Sequence, residues 1–481
     1  MLKRLRSAYG TAPDSHPEEA RDFLELVNAS VLVTVPATTH LASPISQIHS
    51  INLFEVDAVR KRFPTNSTFV VSSNTQIVNP EKGFVVLHTS GTTGPPKGVL
   101  HTRRGAANAI QSYKKLMELT KDDLWLHWSP VHWMGGFIFM IGGIMSGVTT
   151  ELGDFLSGVD AQIERLKQED ITCMIIPPYR LIQIADIYDE LRRTGGGTEY
   201  QALANGLRRL RVVLTGTTDV SPSVRARWEE MRSGKPLLVL YSASELLGPV
   251  GITDWKSSSS PFPSDSCGRI HPTVSLKISD TGEMYVKSPA MFQRYISRNC
   301  NATKDVLDSD GFYRTGDIGK VKDDILYVLG RASYDVILIR NWKVYAPELE
   351  EALSLHPLVS QAIVLGLPDT SNGYRIAAVL VLSDVTQCNV NHAEVLDLSA
   401  IRKWLAVDQG LPAFKLPTVL RLAKPDFSIP RTASLKPIKA QIKNTLLLEL
   451  EAGGKDIEMC ELMSSESGIG HRPFDWEGYQ Q

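Results

Sequence analysis

Thr89–Gly98 reads TSGTTGPPKG and follows a short apolar run, Phe84–His88 (FVVLH). Such a run entering small and hydroxyl-bearing residues reads as a buried strand that delivers a loop. Gly91 and Gly94 permit backbone angles that a Cβ forbids. Thr89, Ser90, Thr92 and Thr93 add hydroxyls, so several N–H and O–H groups face one concave space that suits phosphate oxygens. Lys97 adds a positive charge. The loop is not the common NTPase form, which needs GxxxxGK followed by Ser or Thr. Here five residues separate Gly91 from Lys97, Pro96 precedes the lysine and Gly98 follows it.

Outward from this loop, strand and helix patterns alternate. Ala161–Gln168 has helical spacing with Asp160 placed to cap it, Ile171–Ile176 reads as a buried strand stopped by Pro177 and Pro178, and Arg180–Arg192 returns to helix. Arg211–Leu214 is a strand ending in the small-residue loop Thr215–Thr218. Ser221 and Pro222 fit an N-cap followed by proline at the first helical position, with Gly234 as the stop. Leu237–Tyr241 is again strand. This rhythm implies layered α/β structure with largely parallel sheets. After Val274 the chain turns to short strands, Ser275–Ile278 and Met284–Lys287, around the turn Asp280–Gly282. Beyond Arg331 come helix Glu348–Leu355, strands Gln361–Leu365 and Ile376–Leu382, and helix Leu398–Val407, enough for a compact α+β domain.

The chain has 481 residues, 43% hydrophobic and 22% charged, as in soluble globular proteins of more than one domain. A net charge of −2 gives no general attraction to nucleic acid or an anionic membrane. Five scattered cysteines, with no CxxC pair, read as reduced thiols. The basic start MLKRLRSAYG lacks the apolar run of a signal peptide. The expected location is cytoplasmic, and a mitochondrial reading on Lys3, Arg4 and Arg6 is opposed by Asp14, Glu18 and Glu19. Val131–Val148 has no Asp, Glu, Lys or Arg, but its five glycines and missing basic flanks favour a buried helix plus a pocket-lining loop over a membrane span.

TSGTTGPPKG resembles the signature phosphate loop of the adenylate-forming (AMP-binding) superfamily, which includes acyl- and aryl-CoA synthetases. Further resemblances follow in that family's order. Pro130–Gly136 (PVHWMGG) resembles the segment at the acyl pocket, which makes His132 a candidate catalytic residue. Gly216, Thr217 and Thr218 resemble the loop under the adenine. Tyr241–Glu245 (YSASE) resembles the motif whose aromatic ring stacks on adenine and whose Glu supports Mg²⁺, with Ser244 in place of the usual Thr. Tyr313–Asp317 (YRTGD) matches the family's ribose-binding motif, where Asp317 accepts both ribose hydroxyls. Gly330-Arg331 resembles the hinge dipeptide, with Arg331 near the ribose. Pro430–Lys436 (PRTASLK) resembles the late loop whose lysine, here Lys436, reaches the nucleotide.

The resemblance runs from about Pro13 to Lys439 and implies a domain plan. Residues 1–330 form the AMP-binding domain, with a shortened leader over 1–88, a nucleotide- and acyl-binding α/β region over 89–270 and a β-rich part over 271–330. Residues 331–450 form a mobile C-terminal α+β domain, and 451–481 a tail expected to lack fixed structure. The implied activity is an acid–thiol ligase using ATP, Mg²⁺ and coenzyme A. Its substrate is a small carboxylic acid, with an aromatic or medium-chain acyl group favoured by Trp133, Met134 and Phe137. Two alternatives stay open: an adenylation enzyme loading a separate carrier protein in trans, and a nucleotide-binding homologue without ligase activity. Departures from the pattern feed the second of these. Only 88 residues precede the loop. Leu435 stands where glycine usually precedes the lysine, and Asn341 replaces a glycine. The segment after Arg331 is one residue longer than usual, which leaves the hinge open among Ser333, Tyr334 and Asp335.

Overall fold

The computed structural model describes residues 31–34, 52–55 and 79–460, with single positions 27 and 43. It omits 89–96, 132, 154–157, 217–219, 257–261, 340–341, 370–372, 384–395, 424–426, 428, 432–436 and 455. Two compact units emerge, drawn from Met1–Pro263, Cys267–Ser275 and Val286–Tyr313 for the first, and from Ser264–Ser266, Leu276–Tyr285 and Arg314–Gln481 for the second.

In chain order the first unit contains β1 (Val31–Thr34), β2 (Asn52–Glu55), β3 (Gly83–His88), β4 (Gly98–Thr102), α1 (Arg103–Met117), β5 (Leu124–His127), α2 (Met134–Ser146) and β6 (Thr149–Leu152). There follow α3 (Gly158–Leu166), β7 (Cys173–Ile175), α4 (Pro178–Arg193), α5 (Gly197–Arg209), β8 (Val212–Gly216), α6 (Pro222–Met231), β9 (Leu238–Tyr241), β10 (Gly251–Ile252) and β11 (Arg269–Ile270). The strands β12 (Ser275–Ile278) and β13 (Glu283–Lys287) fall mainly in the second unit, and β14 (Arg294–Ile296) returns to the first.

Strands β6, β5, β7, β8 and β9 lie side by side in that order and run parallel; β10 and β11 continue the row antiparallel. Alternation along these strands explains the layers. Leu126, Met174, Val213 and Val239 join the core under α3–α6, while Trp125, Cys173, Val212, Leu214, Leu238 and Leu240 join the core under α1 and α2. Both faces of the sheet are thus covered, and only the strand ends are left for polar work.

The first unit also corrects several expectations. Asp160 does not cap its helix: α3 begins at Gly158, whose φ of +81° lets the chain turn earlier, and Asp160 lies in the first turn. Ser221 does cap α6, its side chain accepting from Val224 N at 3.4 Å with proline at the first position. Helix α2 is apolar on all sides but only half buried, with Ile144 61% and Met145 62% exposed. No described helix is long and apolar enough to cross a membrane.

The second unit carries β15 (Tyr313–Lys322), β16 (Ile325–Arg331), β17 (Val336–Ile339), β18 (Trp342–Tyr345), α7 (Ala346–Ser354), β19 (Val359–Asp369), β20 (Gly373–Leu382), α8 (Leu398–Lys403), β21 (Val419–Ala423), α9 (Lys439–Glu451) and β22 (Ile457–Met459). Strands β12, β13, β15 and β16 are neighbours in that order. A second sheet orders β18, β17, β20, β21 and β22, with β19 paired to β20. Along β20, Ile376, Ala378 and Leu380 face the core shared with α7 and α8, while Ala377, Val379 and Val381 face the core shared with α9. The expected strand over 361–365 is the middle of β19 and that over 376–382 is the C-terminal part of β20, because residues paired in the β19–β20 hairpin extend beyond the apolar cores. The helix expected over Leu398–Val407 is α-helical to Lys403 and continues as a π-turn over Trp404–Asp408.

Candidate active site

In the first unit, β3 and β4 are an antiparallel pair in which His88 faces Gly98. That pairing closes the base of the segment carrying Thr89, Ser90, Gly91, Thr92, Thr93 and Gly94, which itself lies outside the described residues, as do His132, Thr217, Thr218 and Lys436. β4 runs directly into α1, where Thr102 caps the helix by accepting from Gly105 N at 3.0 Å.

Lys97, just before β4, places its ammonium 5.2 Å from the centre of the Tyr295 ring, within cation–π range. Tyr295 lies on β14, opposite Val99 of β4. Its hydroxyl donates to Glu245 Oε1 at 2.6 Å, and Phe292 N donates to the Glu245 carbonyl at 2.7 Å. Glu245 is only 7% exposed. A carboxylate this buried needs polar partners, and here a neutral hydroxyl supplies one.

The loop that carries Glu245 is held from beneath. His101 on β4 is fully buried, and its Nε2–H donates to the Ser244 carbonyl at 2.8 Å. Burial lowers the His101 pKa to about 4, despite hydrogen bonds to the backbone of Ser244 and Ala290 that favour the charged ring. Burial thus leaves the imidazole neutral at pH 7. Ser242 donates to the Gly248 carbonyl at 2.7 Å, and Tyr113 OH donates to the Leu247 carbonyl at 3.1 Å. Leu247 itself sits at φ +55° with its side chain fully buried. Left-handed backbone at a leucine costs about 1–2 kcal/mol, which the surrounding core contacts offset.

Tyr241 ends β9 and Gly216 ends β8, on adjacent parallel strands where Gly216 pairs with Leu240. The carboxyl ends of parallel strands are where ligands bind open α/β sheets. A Cβ on Gly216 would lie 2.5 Å from the Leu240 carbonyl oxygen, so that position requires glycine. Lys97, Gly216, Tyr241, Ser244 and Glu245 thus occupy strand ends and loops of one unit.

Asp317 and Arg331 belong to the second unit. They are register partners on β15 and β16, and Arg331 Nε stands 3.0 Å from Asp317 Oδ1. Thr315 fixes the strand by donating to the Met284 carbonyl at 2.9 Å and accepting from Asp317 N at 3.0 Å. After Arg331 the chain makes a tight turn: Asp335 Oδ2 accepts from Arg331 N at 3.0 Å, and Asp335 Oδ1 meets Lys439 Nζ at 2.6 Å. Lys439 also meets Glu350 at 2.8 Å. Burial works against its charge, but Glu350 and Asp335 outweigh that and hold its pKa above the ordinary lysine range.

Among the described residues no group of three or more His, Cys, Asp and Glu gathers as a metal cage. A magnesium ion bound by one carboxylate plus nucleotide phosphates needs no such cage. Asp308–Gly311 forms a turn in which Asp308 Oδ1 accepts from Asp310 N and Phe312 N.

Comparison with known proteins decides the family. The profile described as AMP-binding enzyme matches residues 9–296, and that described as AMP-binding enzyme C-terminal domain matches 348–436. The chain belongs to the AMP-binding enzyme family. It is 31% identical over 415 residues to a probable CoA ligase of Humulus lupulus, covering 80% of this chain and 64% of that protein. It is 28% identical to an acyl-CoA ligase of Aspergillus oryzae, over 89% of this chain and 76% of that one. A malonate–CoA ligase of Arabidopsis thaliana is 29% identical over 75% of this chain and 60% of its own length. Two of these three AMP-binding relatives are therefore matched over less than two thirds of their length. Among solved structures, ATP-bound MatB from Rhodopseudomonas palustris superposes with a TM-score of 0.73 at 18% identity, over 91% of this chain and 83% of that one. The amide bond synthetase McbA from Marinactinospora thermotolerans gives 0.73 at 23%, over 92% and 85%. These likenesses establish the fold, a large α/β N-terminal part and a smaller α+β C-terminal part.

Tyr295, His101 and Lys439 are not singled out by the sequence, whereas Asp335 is among its hinge candidates. Tyr295 lies 50 positions from Glu245 in sequence, and only the β4–β14 pairing brings its strand there. No local pattern announces such a partner.

Proposed function

We propose that the chain activates a small carboxylic acid with ATP to form an acyl-adenylate, then passes the acyl group to the thiol of coenzyme A. In the first step a carboxylate oxygen attacks the α-phosphorus, the bond to pyrophosphate breaks, and pyrophosphate leaves. In the second the thiolate attacks the acyl carbon and AMP departs. The observation that carries this reading is the buried Tyr295–Glu245 hydrogen bond beside Lys97, at the closed base of the Thr89–Gly98 segment. It matches the needs of phosphoryl chemistry, in which positioning and charge neutralisation do most of the work.

The roles follow from residue chemistry. Thr89, Ser90, Gly91, Thr92, Thr93 and Gly94 cradle phosphate oxygens, and Lys97 adds charge at the loop's end. Gly216, Thr217 and Thr218 floor the adenine, Tyr241 stacks on it, and Ser244 supports the same loop. Asp317 accepts the ribose hydroxyls and Arg331 lies near them. Glu245 holds Mg²⁺, which when bound offsets phosphate charge. His132 lines the acyl pocket. Lys436 stabilises charge that grows between the α-phosphate and the carboxylate. The small C-terminal domain from residue 331 moves between the two half-reactions.

The relatives' names favour an organic acid such as malonate or indoleacetate as the activated group. The test is carboxylate-dependent ATP–pyrophosphate exchange across malonate, aromatic and medium-chain acids, followed by addition of CoA or a phosphopantetheinyl carrier to the active ones. Exchange with at least one acid, and a thioester to CoA, is the expected result. ATP binding without exchange for any acid would leave only the non-catalytic alternative.

A further inference from the structure

Arg232 shows how this fold satisfies a buried guanidinium. It is fully buried and donates to the backbone carbonyls of Leu210, Arg211, Lys235 and Pro236. Arg211, half-buried, closes instead on a carboxylate, its Nη2 2.6 Å from Asp123 Oδ2. Arg180 is treated differently. It is only 7% exposed, yet among the described residues it meets no carboxylate. Its Nη1 donates to Gln183 Oε1 at 2.9 Å, its guanidinium lies 5.3 Å from the centre of the Tyr179 ring, and its Nε finds no acceptor.

The place of this arginine matters. β7 ends at Ile175, Ile176 N donates to the Leu214 carbonyl at 3.0 Å, and Pro177 and Pro178 then turn the chain into α4. Tyr179 and Arg180 thus stand at the head of α4, at the carboxyl end of the parallel strands, where ligands bind open α/β sheets. β7 pairs with β8, so this turn lies beside Thr215, which directly precedes Gly216. Val213, two residues before Thr215, and Leu181, next to Arg180, both join the core under α3–α6. Thr215 Oγ1 is buried there without a hydrogen-bond partner, and the buried Tyr179 O–H has no acceptor. Burial raises the Tyr179 pKa against the pull of Arg180, so the hydroxyl keeps its proton and remains a donor. Pro177 supplies no side-chain cap, and the positive end of α4 adds to the guanidinium. Buried donors without acceptors are costly, a charged one most of all. An anion would satisfy them together.

We propose that Arg180 and Tyr179 form a carboxylate-recognition subsite, and that the activated substrate is a dicarboxylic acid whose second carboxylate is held there. The proposal rests on the adenylation reading above. With Nη1 taken by Gln183, the edge formed by Nε and Nη2 remains, and that edge matches the two oxygens of a carboxylate. Tyr179 O–H supplies a further donor. One guanidinium and neutral hydroxyls suit a single negative charge. A phosphate monoester carries nearly twice that charge at pH 7 and calls for more cations. A site built to hydrogen-bond a group rejects the analogue that lacks it, because its own polar groups are then left unpaired. A monocarboxylic acid would leave Arg180 in that condition.

The experiment measures carboxylate-dependent ATP–pyrophosphate exchange with malonate, succinate and glutarate against propionate, butyrate and valerate, and with the monomethyl ester of the best dicarboxylic acid. Wild type is expected to prefer one dicarboxylic acid over the monocarboxylic acid of equal carbon number by roughly 10²-fold in kcat/KM, and to lose that preference with the ester. In Arg180→Met the ratio of dicarboxylic to monocarboxylic kcat/KM is expected to fall by about 10²-fold, chiefly through KM for the acid. Arg180→Lys, which keeps the charge without the planar fork, falls between. Tyr179→Phe is expected to lower the ratio by about tenfold. If Arg180→Met fails to fold, the wild-type comparison of acid with ester and the Tyr179→Phe ratio decide. Monocarboxylic acids exchanged as well as dicarboxylic ones, or a ratio unchanged in Arg180→Met, overturn the subsite and leave adenylation standing. Wild type without exchange for any acid, aromatic and medium-chain acids included, overturns the adenylation reading, and the subsite falls with it.

Discussion

The two units hold their polar site residues by different means. In the first, Glu245 is buried against the neutral hydroxyl of Tyr295, and the loop behind it hangs on the neutral imidazole of His101. In the second, Asp317 faces the guanidinium of Arg331, and Asp335 and Glu350 close on the ammonium of Lys439. Uncharged donors in a dry setting do not respond to salt, but they do respond to pH when one of them can gain a proton. An ion pair near water, such as Arg331–Asp317, responds to salt and only weakly adds to stability. The units should therefore fail under different conditions, and each test below probes one side of that contrast.

Acid should act most strongly, and on the first unit. His101 has a folded pKa of about 4 against an ordinary value of 6.5, because burial disfavours the charged ring. His127, at the end of β5, is likewise lowered to about 4 by burial. Between those values the unfolded chain binds a proton that the folded chain does not. Stability is then full above pH 6.5 and is lost as pH falls toward 4. From pH 7 to pH 5 each histidine should cost about 2 kcal/mol. Chemical denaturation of the full chain at both pH values should show the first unit's transition moving, and His101→Gln should flatten part of that slope. A transition equally stable at both pH values would mean that neither ring is buried and neutral.

Lys436 tests the charged side. Replacing it with alanine should slow adenylation by roughly 10²-fold or more, the size of effect seen when one electrostatic stabiliser of a transition state is lost. Pyrophosphate exchange reads the effect directly. A rate unchanged in Lys436→Ala would take the lysine out of the chemistry and leave the first unit to carry the step.

Tyr295→Phe sharpens the neutral side. It removes the hydroxyl that satisfies Glu245 and keeps the ring under Lys97. An unpaired buried acceptor costs about 1–3 kcal/mol, so the metal-free first unit should lose about that much stability. Because a bound cation pairs with the freed carboxylate, the Mg²⁺ concentration for half-maximal exchange should fall by up to about tenfold. An unaltered Mg²⁺ requirement would show that Tyr295 supports the fold and not the carboxylate's function.

How much of this was visible in the sequence follows from what each feature depends on. The strands around Ile171–Ile176, Arg211–Leu214 and Leu237–Tyr241 were legible because an apolar run is a local signal, and Val213 and Val212 point to opposite cores as neighbouring residues must. The cap at Ser221 was legible for the same reason. Helix α2 was harder, since a segment apolar on every side does not say which face meets the core, and Ile144 and Met145 turn outward. Asp160 misled because a glycine two residues earlier starts the helix. The candidate site divides likewise. Motif residues such as Glu245, Asp317 and Arg331 stand out as short patterns, whereas Tyr295, His101 and Lys439 act through strand pairings and turns between distant segments.

The smallest effect should come from Arg331. Its side chain is 45% exposed, so its pair with Asp317 is largely screened and is worth under about 1 kcal/mol to stability. Arg331→Gln should lower the stability of the second unit by no more than that, and the loss should shrink further in 1 M salt, where the screening length falls to about 3 Å. On the proposed function its effect on nucleotide affinity should be larger than its effect on stability, because the same guanidinium stands beside Asp317, the carboxylate proposed to accept the ribose hydroxyls. Measured together, unfolding and ATP binding separate the two roles. A stability loss of several kcal/mol, insensitive to salt, would mean that the pair is buried like the Tyr295–Glu245 bond and would erase the contrast between the units. A loss confined to binding would place the ion pair on the functional side, with its stabilising share no greater than that of other surface pairs.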